Sequence, residues 1–571
     1  MAQQLYFSRD TRMFIQFRNT TDNTELAADL GKGALWEIPV LDGYSFSQAT
    51  NTSEIALAEM ESSAGISRRG RRMFTDSLAP AEWSFSTYAR PFKSVGQTAL
   101  GTAADGVMGA EPGSTTEVHA VEEVLWASMF GADKYDANKF VRNVQPVSGS
   151  ESDVITPAAN TSTIVITESN RSAMHSFTLF FLIDTATSNP LLYRMPEAVV
   201  NEVSIDFDVD GIATLNWTGF AKEIQDNSEK LAVSARHDAT VSSGRVGGGN
   251  LVLGDIVIDT GNSRAVHICN NVGSTQAAVT QAIDEATTST QNFIRNRLTG
   301  VTIEAADAAD KVSGTFPGAH ATISAIDTTN EVLTTSTAHG LETGDQVYIT
   351  GCTGNTDLNG THHFVRVGDQ TGTYAGTTNA TTEFALFGTK VQAENLGNAT
   401  GLVAIGSGTY NAITGTVANG HYSLTMTGGS FTIGNNISYL VPEELGAINK
   451  PLEHVTGTRT STGNATCYLT LEDTDSSSGT SRQFFNDLVG TGAMAKVVNK
   501  FKVEMHIGGT AATANTTDPA LKVTFPTAHI EVPTHSVEDV ISLETNFTAL
   551  PTDFGAADEI TNLEYRPPST Y

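Results

Sequence analysis

The sequence predicts a mainly β protein: two tandem copies of one strand-rich unit, each with a helix, and a small inserted β-barrel-like or sandwich-like domain. Three observations predict it. Of 571 residues, 39% are hydrophobic and only 17% charged; the polar balance comes from Thr, Ser, Asn and 51 Gly, which suits strands and turns. Apolar residues recur with period two. The order of elements in the first half returns in the second. At roughly 100–200 residues per unit, the length allows about three to five units with real cores.

The strands announce themselves by alternation. Trp83-Ser84-Phe85-Ser86-Thr87 places large apolar and small polar residues on opposite faces. Phe177, Leu179, Phe181 and Ile183 make a second apolar face. Val203, Ile205, Phe207 and Val209 make a third, with Ser204, Asp206, Asp208 and Asp210 on the other side. Those aspartates recur roughly every 7 Å at ~3.3 Å rise per residue. Helix signals are few. Ser114 and Glu117 form a capping box, Val118, Val121, Leu125 and Met129 fall on one stripe, and Gly131 sits where the helix should end, so a helix is expected over 115–130.

The second half follows the same order. Thr480 and Gln483 form another capping box, followed by Phe484, Phe485, Leu488 and Gly490. Phe501, Val503, Met505 and Ile507 match the strand from Phe177, an offset of 324. Phe525-Pro526 matches Met195-Pro196, an offset of 330. Val537–Thr548 matches Val209–Phe220. Gly428-Gly429-Ser430-Phe431 matches Gly43-Tyr44-Ser45-Phe46, an offset of 385. Drifting offsets are what unequal loops between two copies produce. The first domain is therefore expected over 1–225 and the second over 293–318 and 393–571. Residues 226–292, with Gly247-Gly248-Gly249, read as an extended arm or linker with some β-structure at Leu251–Ile258. A Thr/Gly-rich insert of short strands fills 319–392.

Charge and motifs exclude several functions. Lys+Arg number 33 against 63 Asp+Glu, a formal charge of −30, wrong for a general nucleic-acid binder or an anionic membrane. The longest apolar run, Phe177–Ile183, is far short of the ~18 residues that span a bilayer, and Arg9, Asp10 and Arg12 stand where a signal peptide would be apolar. Cys269, Cys352 and Cys467 are scattered, so buried thiols are expected rather than a disulfide framework or metal pair. No G-x-S-x-G, H-E-x-x-H, Walker or Rossmann pattern occurs. The adjacent His362 and His363 point to opposite faces of a strand. No catalytic residue, cofactor or metal is expected. Trp36, Trp83, Trp126 and Trp217 are spaced one per element, as core residues would be.

The segments LDGYSFSQATNTSEIAL, RRMFTDSLAPAEWSFSTYARPF, VNEVSIDFDVDGIATLNWTGF and YLVPEELGAINKPLEHVTGTRTSTGNATCYLTLED resemble the tail tube (major tail) proteins of long-tailed bacteriophages. The insert, through Ala338-His339-Gly340-Leu341, Leu358-Asn359-Gly360 and Glu383-Phe384, resembles the small β-domain named after the first catalytic cysteine half-domain of ubiquitin-activating enzymes, without their chemistry. The first resemblance implies a structural virion protein of the tail, assembled in the host cytoplasm. It also implies that the two tandem domains are β-sandwich, barrel-forming tube domains, each with a flanking helix, which share strands around a lumen, stack as rings around a tape-measure protein, and meet tail terminator and tail tip proteins. DNA would pass through without specific binding. Two tandem domains imply a trimeric, pseudo-sixfold ring, since 3 × 2 = 6. On that reading Asp206, Asp208, Asp210 and Glu504 are candidate lumen-facing acids. The basic cluster Arg68, Arg69, Arg71 and Arg72 is a candidate loop between rings, and the insert projects outward, which favours a non-contractile tail. The rivals are a host-surface-binding adhesin-like β-protein and a tail-associated glycan depolymerase.

Overall fold

The computed structural model describes residues 5–17, 35–56, 71–93, 118–130, 155–157, 161–164, 174, 176–183, 190–207, 210–228, 238–239, 245–247, 251, 254–259, 264–272, 276–284, 293–305, 323–339, 341, 343, 346–352, 355, 362–368, 381–388, 390–395, 399–406, 410–414, 422–424, 426–442, 450–469, 481, 484–485, 501–509, 519–537, 540–551, 559–560 and 562–566. It is mainly β. The first half supplies β1 (Thr11–Phe17), β2 (Leu35–Ile38), β3 (Ser45–Ala56), β4 (Arg71–Tyr88), helix α1 (Glu123–Met129), β5 (Phe177–Ile183), β6 (Leu191–Phe207) and β7 (Thr214–Ala221). The second supplies β8 (Leu298–Ala305), β9 (Met426–Gly434), β10 (Thr460–Tyr468), β11 (Phe501–Gly508), β12 (Ala520–Ile530), β13 (Thr534–Val537), β14 (Ile541–Ala549) and β15 (Asn562–Arg566).

Hydrogen bonds join eight of these strands into one open antiparallel run, β3-β4-β7-β6-β9-β10-β14-β13. The first four come from the first half and the last four from the second. The join is β6 against β9, from Glu202↔Gly434 to Phe207↔Gly429. Registers repeat across the join. Ser84 faces Ser45 and Thr218, while Asn464 faces Ser430 and Asn546; the numbers differ by 464 − 84 = 380, 430 − 45 = 385 and 546 − 218 = 328. Likewise Ala198 pairs with Phe177 and Ala528 with Phe501, differing by 330 and 324.

One side of the run is apolar because its strands alternate, and it builds a single core from both halves. Trp83, Phe85, Trp217, Val203 and Ile205 share this core with Phe431, Ile433, Phe525 and Phe547. Helix α1 lies within it with every residue buried; the Trp126 and Trp217 rings meet edge-on at 4.8 Å. All four tryptophans are buried, at most 2% exposed. The halves also interleave. The Asn435 side chain donates to the Met129 carbonyl at 3.0 Å, occupying a terminal acceptor of α1. Strand β15 pairs with the short strand Ser162–Ile164 of the first half.

Three expectations about elements change. Helix α1 begins at Glu123, and Val118–Ala120 is a strand paired with Pro91–Lys93. The Glu122 cap makes no side-chain capping bond; Ser114, Glu117 and Gly131 lie outside the described residues. The periodic stripe misleads here because every side of the helix is buried, so polarity no longer marks a face. Of the second expected helix, Ser481, Phe484 and Phe485 are helical, and Thr480, Gln483 and Gly490 lie outside the described residues. Residues 226–292, expected as an arm or linker with some β-structure at Leu251–Ile258, carry a five-stranded sheet in which Ile256–Asp259, Ala265–Val272 and Gln276–Gln281 are successive antiparallel neighbours. Its Ile256, Ile258, Val266 and Ile268 pack on Phe14, Phe180, Leu182 and Leu192. Strand β5 is thus covered on both faces, which explains its nearly continuous apolar sequence.

The insert is a separate six-stranded sheet with its own core, including Leu333, Val347, Val365, Phe384 and Leu386. Its hydrogen bonding runs past residue 392 to the strand Tyr410–Thr414, which pairs with Gln346–Cys352. His339 is structural: its Nδ1 accepts the Leu341 N–H at 2.9 Å and its ring meets Phe384 edge-on at 5.5 Å.

Candidate functional site: the polar face of the eight-strand run

The period that buries one face of the run sends the other outward. Across six strands, one row reads Ser86, Asn216, Ser204, Thr432, Thr462 and Thr548. The next reads Asp206, Ser430, Asn464 and Asn546. Neighbours bond laterally: Ser86 Oγ donates to Asn216 Oδ1 at 2.7 Å, and Ser45 and Ser84 hydroxyls lie 2.8 Å apart. Short hydroxyl and amide side chains thus pave the face, and neighbouring pairs of them bond to one another.

Within the paired spans that form the paved face, away from the β3–β4 arm, the charges are Glu82, Glu202, Asp206 and Glu544. None of the spans 45–48, 81–88, 199–207, 214–221, 426–434, 460–468, 534–537 and 541–549 contains Lys or Arg. The local field is therefore negative, and at physiological salt it reaches about 8 Å. Such a surface attracts neither phosphate nor nucleic acid. Among the described residues, no group of three His, Cys, Asp or Glu side chains is placed to hold a metal, and no helix is long and apolar enough to cross a membrane.

The expected acidic residues separate. Asp206 is exposed on the face. Asp208 lies outside the described residues. Strand β6 ends at Phe207, and Asp210 stands in the turn set by Gly211 at φ +105°, off the strand face. Glu504 belongs to β11, opposite Thr302 and Thr524, away from the run. It is half-buried between Lys502 Nζ at 2.8 Å and Lys522 Nζ at 3.3 Å. Burial works against its ionisation, but Lys502 and then Lys522 outweigh that and hold its carboxyl below the usual range. Lys502 and Glu504 thus belong to a half-buried ion-pair network beside His506, which is buried and has its pKa lowered to about 4, first by burial and then by Lys522. Glu82, Glu202 and Glu544 were the acids to find; each occupies a polar position of an alternating strand.

Of the basic cluster, Arg68 and Arg69 lie outside the described residues. Arg71 and Arg72, expected in a loop, open β4 opposite Ala56 and Ile55. They belong to a long hairpin arm on which Met73 and Phe74 are 65% and 49% exposed.

A second polar cluster lies inside the core. Tyr565 Oη donates to Glu122 Oε1 at 2.5 Å and accepts from Trp126 Nε1 at 2.9 Å. Burial pushes the Glu122 carboxyl up to about 7 despite the Tyr565 bond. Because Tyr565 is on β15 and Glu122 caps α1, this cluster locks the end of the second half to the first. Cys269 and Cys467 are buried thiols, the latter pushed up to about 11 by burial.

No protein-family profile matches the chain. Over 141 residues the chain is 36% identical to "Tail tube protein pb6" of Escherichia phage T5. The match covers 25% of this chain and 28% of that protein, so it spans about a quarter of each. Over that stretch the chain is a partial homologue of a phage tail tube protein.

Proposed function

We propose that this chain is a structural subunit of a phage tail tube, without enzymatic activity. Three copies close into a pseudo-sixfold ring, and rings stack into a hollow conduit through which the genome passes. The observation that carries this reading is the open eight-strand run, built as two four-strand units in repeated register, with one apolar face and one paved polar face. The repeated register supports a duplicated tube domain. Three runs give 3 × 8 = 24 strands. At ~4.8 Å between strands the closed sheet would be roughly 37 Å across before tilt, and wider with it, enough for a duplex.

The polar face would be the inner wall. Its carboxylates repel phosphate, and without cations no counterion-release affinity develops, so DNA slides. The Arg68–Arg72 arm would contact the neighbouring ring, pairing its cations with carboxylates there. The insert, a sheet with its own core, would decorate the outside, consistent with a flexible, non-contractile tail. The partners are further copies of the chain and tape-measure, terminator and tip proteins; the location is the virion tail after assembly in the host cytoplasm. Electron microscopy of purified protein tests this. Hollow filaments with three copies per repeat are expected, and discrete globular monomers at high concentration would overturn it.

A further inference from the structure

The eight-strand run ends in two edges, and the join inside it specifies how those edges fit. Among the described residues, β3 pairs only with β4, and β13 only with β14. Ser45, Ser47, Thr534, His535 and Ser536 are exposed, whereas Ile205 and Phe431, at the internal join, are buried. Open edges carry unpaired N–H and C=O groups and recruit a strand unless blocked.

We propose that β13 of one copy of this chain pairs antiparallel with β3 of the next, with Thr534 opposite Ser47, His535 opposite Phe46 and Ser536 opposite Ser45. This rests on the ring reading above and adds which strands meet, in what register and with what charge. The register follows from the internal join. Thr534 stands to Glu544 as Ser204 stands to Asn216, a shift of 330 on one strand. Ser45 stands to Ser84 as Ser430 stands to Asn464, a shift of 385 on the other. Applying both shifts to Ser204↔Thr432, Ile205↔Phe431 and Asp206↔Ser430 yields the three pairs.

The side chains at these edges agree. Phe46 already turns toward the core, 5.0 Å from the Phe181 ring and 5.2 Å from Tyr193, and remains half-buried. His535 turns the same way, edge-on to Phe485 at 4.4 Å. Pairing would bring the two rings together where Ile205 meets Phe431 inside the chain. The small hydroxyl side chains at 45, 47, 534 and 536 would continue the paved face without a break.

The two joins differ in length and charge. The internal one pairs six residues of β6. Pro533 replaces the counterpart of Val203 and offers no N–H, which leaves the four residues of β13 for the external one. The counterparts of Glu202 and Asp206 are Val532 and Ser536, so the external join adds no carboxylate of its own. At the external join the acids are instead Glu544 and Glu82, one strand out on either side, opposite Thr534 and Ser47.

Engineered disulfides test the register. Directly opposed antiparallel residues have Cα atoms about 4.5–5.5 Å apart, inside the ~4.4–6.8 Å a disulfide spans; a shift of two residues adds about 6.6 Å along the strand. In full-length protein carrying Cys352→Ser, Ser45→Cys with Ser536→Cys, and separately Ser47→Cys with Thr534→Cys, are assembled and oxidised mildly. Both pairs should give covalent trimers on a non-reducing denaturing gel, at least tenfold more than the mismatched Ser45→Cys with Thr534→Cys. Intact rings in which neither matched pair cross-links, or in which the mismatched pair cross-links equally well, overturn this join alone. A wild-type chain that never assembles overturns the ring reading and the join with it.

Discussion

Trp83 on β4 lies opposite Gly219 on β7, and Gly463 on β10 lies opposite Phe547 on β14. The two pairs occupy the same place in the two four-strand units, with ring and glycine exchanged. A Cβ on Gly219 would come 2.1 Å from the Val199 carbonyl and 2.2 Å from the Trp83 ring; on Gly463 it would come 2.4 Å from the Phe547 ring. The site admits one aromatic ring per pair, and close packing leaves the facing residue no side chain. Register conserves the volume of the pair, not the identity of either residue. This is why the halves match so weakly residue by residue while their hydrogen bonding repeats.

The sharpest contrast lies between the internal join and the free edge. Phe431 is fully buried, 5.8 Å from Phe207 and 6.0 Å from Phe525. Its counterpart Phe46 is half-covered. Phe431→Ala should therefore cost about 3–5 kcal/mol, read as a fall in the urea midpoint of the unassembled chain. Phe46→Ala should cost less than half as much there, and its larger effect should fall on assembly. Equal losses in the unassembled chain would mean the two strands are not equivalents in different surroundings.

The next contrast is in pH dependence. Folding raises the Glu122 carboxyl from 4.5 to about 7. Between those values the folded chain holds a proton that the unfolded chain has released, so stability falls as pH rises through this window and levels off above it. The full change is about 3 kcal/mol. Burial lowers His267 and His506 to about 4, so their contribution runs the other way: stability falls as pH drops from 6.5 toward 4. Glu122→Gln removes only the first slope. Its stability relative to wild type should climb by about 3 kcal/mol from pH 4.5 to 7, measured by denaturant unfolding at each pH. A flat difference would show that the link from α1 to β15 carries no ionisable strain.

The glycines sharpen the comparison further. Gly219→Ala and Gly463→Ala should each destabilise by about 2–3 kcal/mol through overpacking. Rescue should differ. Phe547→Leu should recover about half of the Gly463→Ala loss, because the far end of a side chain is the nearest obstacle. Trp83→Leu should recover little for Gly219→Ala, where a backbone carbonyl is nearest. Thermal midpoints of the single and double variants close the cycle.

Much of this was legible in the sequence. The offsets 385, 330 and 324 reappear in the strand registers, because alternation and turn residues survive where packing partners have exchanged. The polar face was legible too, in Ser84 and Ser86 of the alternating segment, but of the three alternate aspartates Asp206 stands on it, Asp210 lies past the strand end and Asp208 is outside the described residues. The sheet in 226–292 was hidden because Val257, Ile258 and Ile256 are buried together, so period two is lost. Glu504 could not be judged from β11 alone, since Lys522 reaches it from β12.

The smallest effect on stability should carry the largest information about function. Asp206 is exposed and, among the described residues, makes no side-chain bond or ion pair, so Asp206→Lys should change stability by under about 0.5 kcal/mol. In the closed ring it would replace three inward carboxylates by three ammonium groups, next to the internal join. Ser536→Lys would do the same at the external one, adding charge without removing any. If the polar face lines the conduit, tubes of either variant should retain short duplex DNA at low salt where wild-type tubes retain none. Retention should weaken with salt, the logarithmic slope steepening by about 0.9 for each lysine that meets a phosphate. Asp206→Lys should bind more tightly than Ser536→Lys, because it also deletes a repulsive charge. Equal retention by wild type and both variants would place this face away from the DNA path, and the comparison of the two joins would then describe an outer surface.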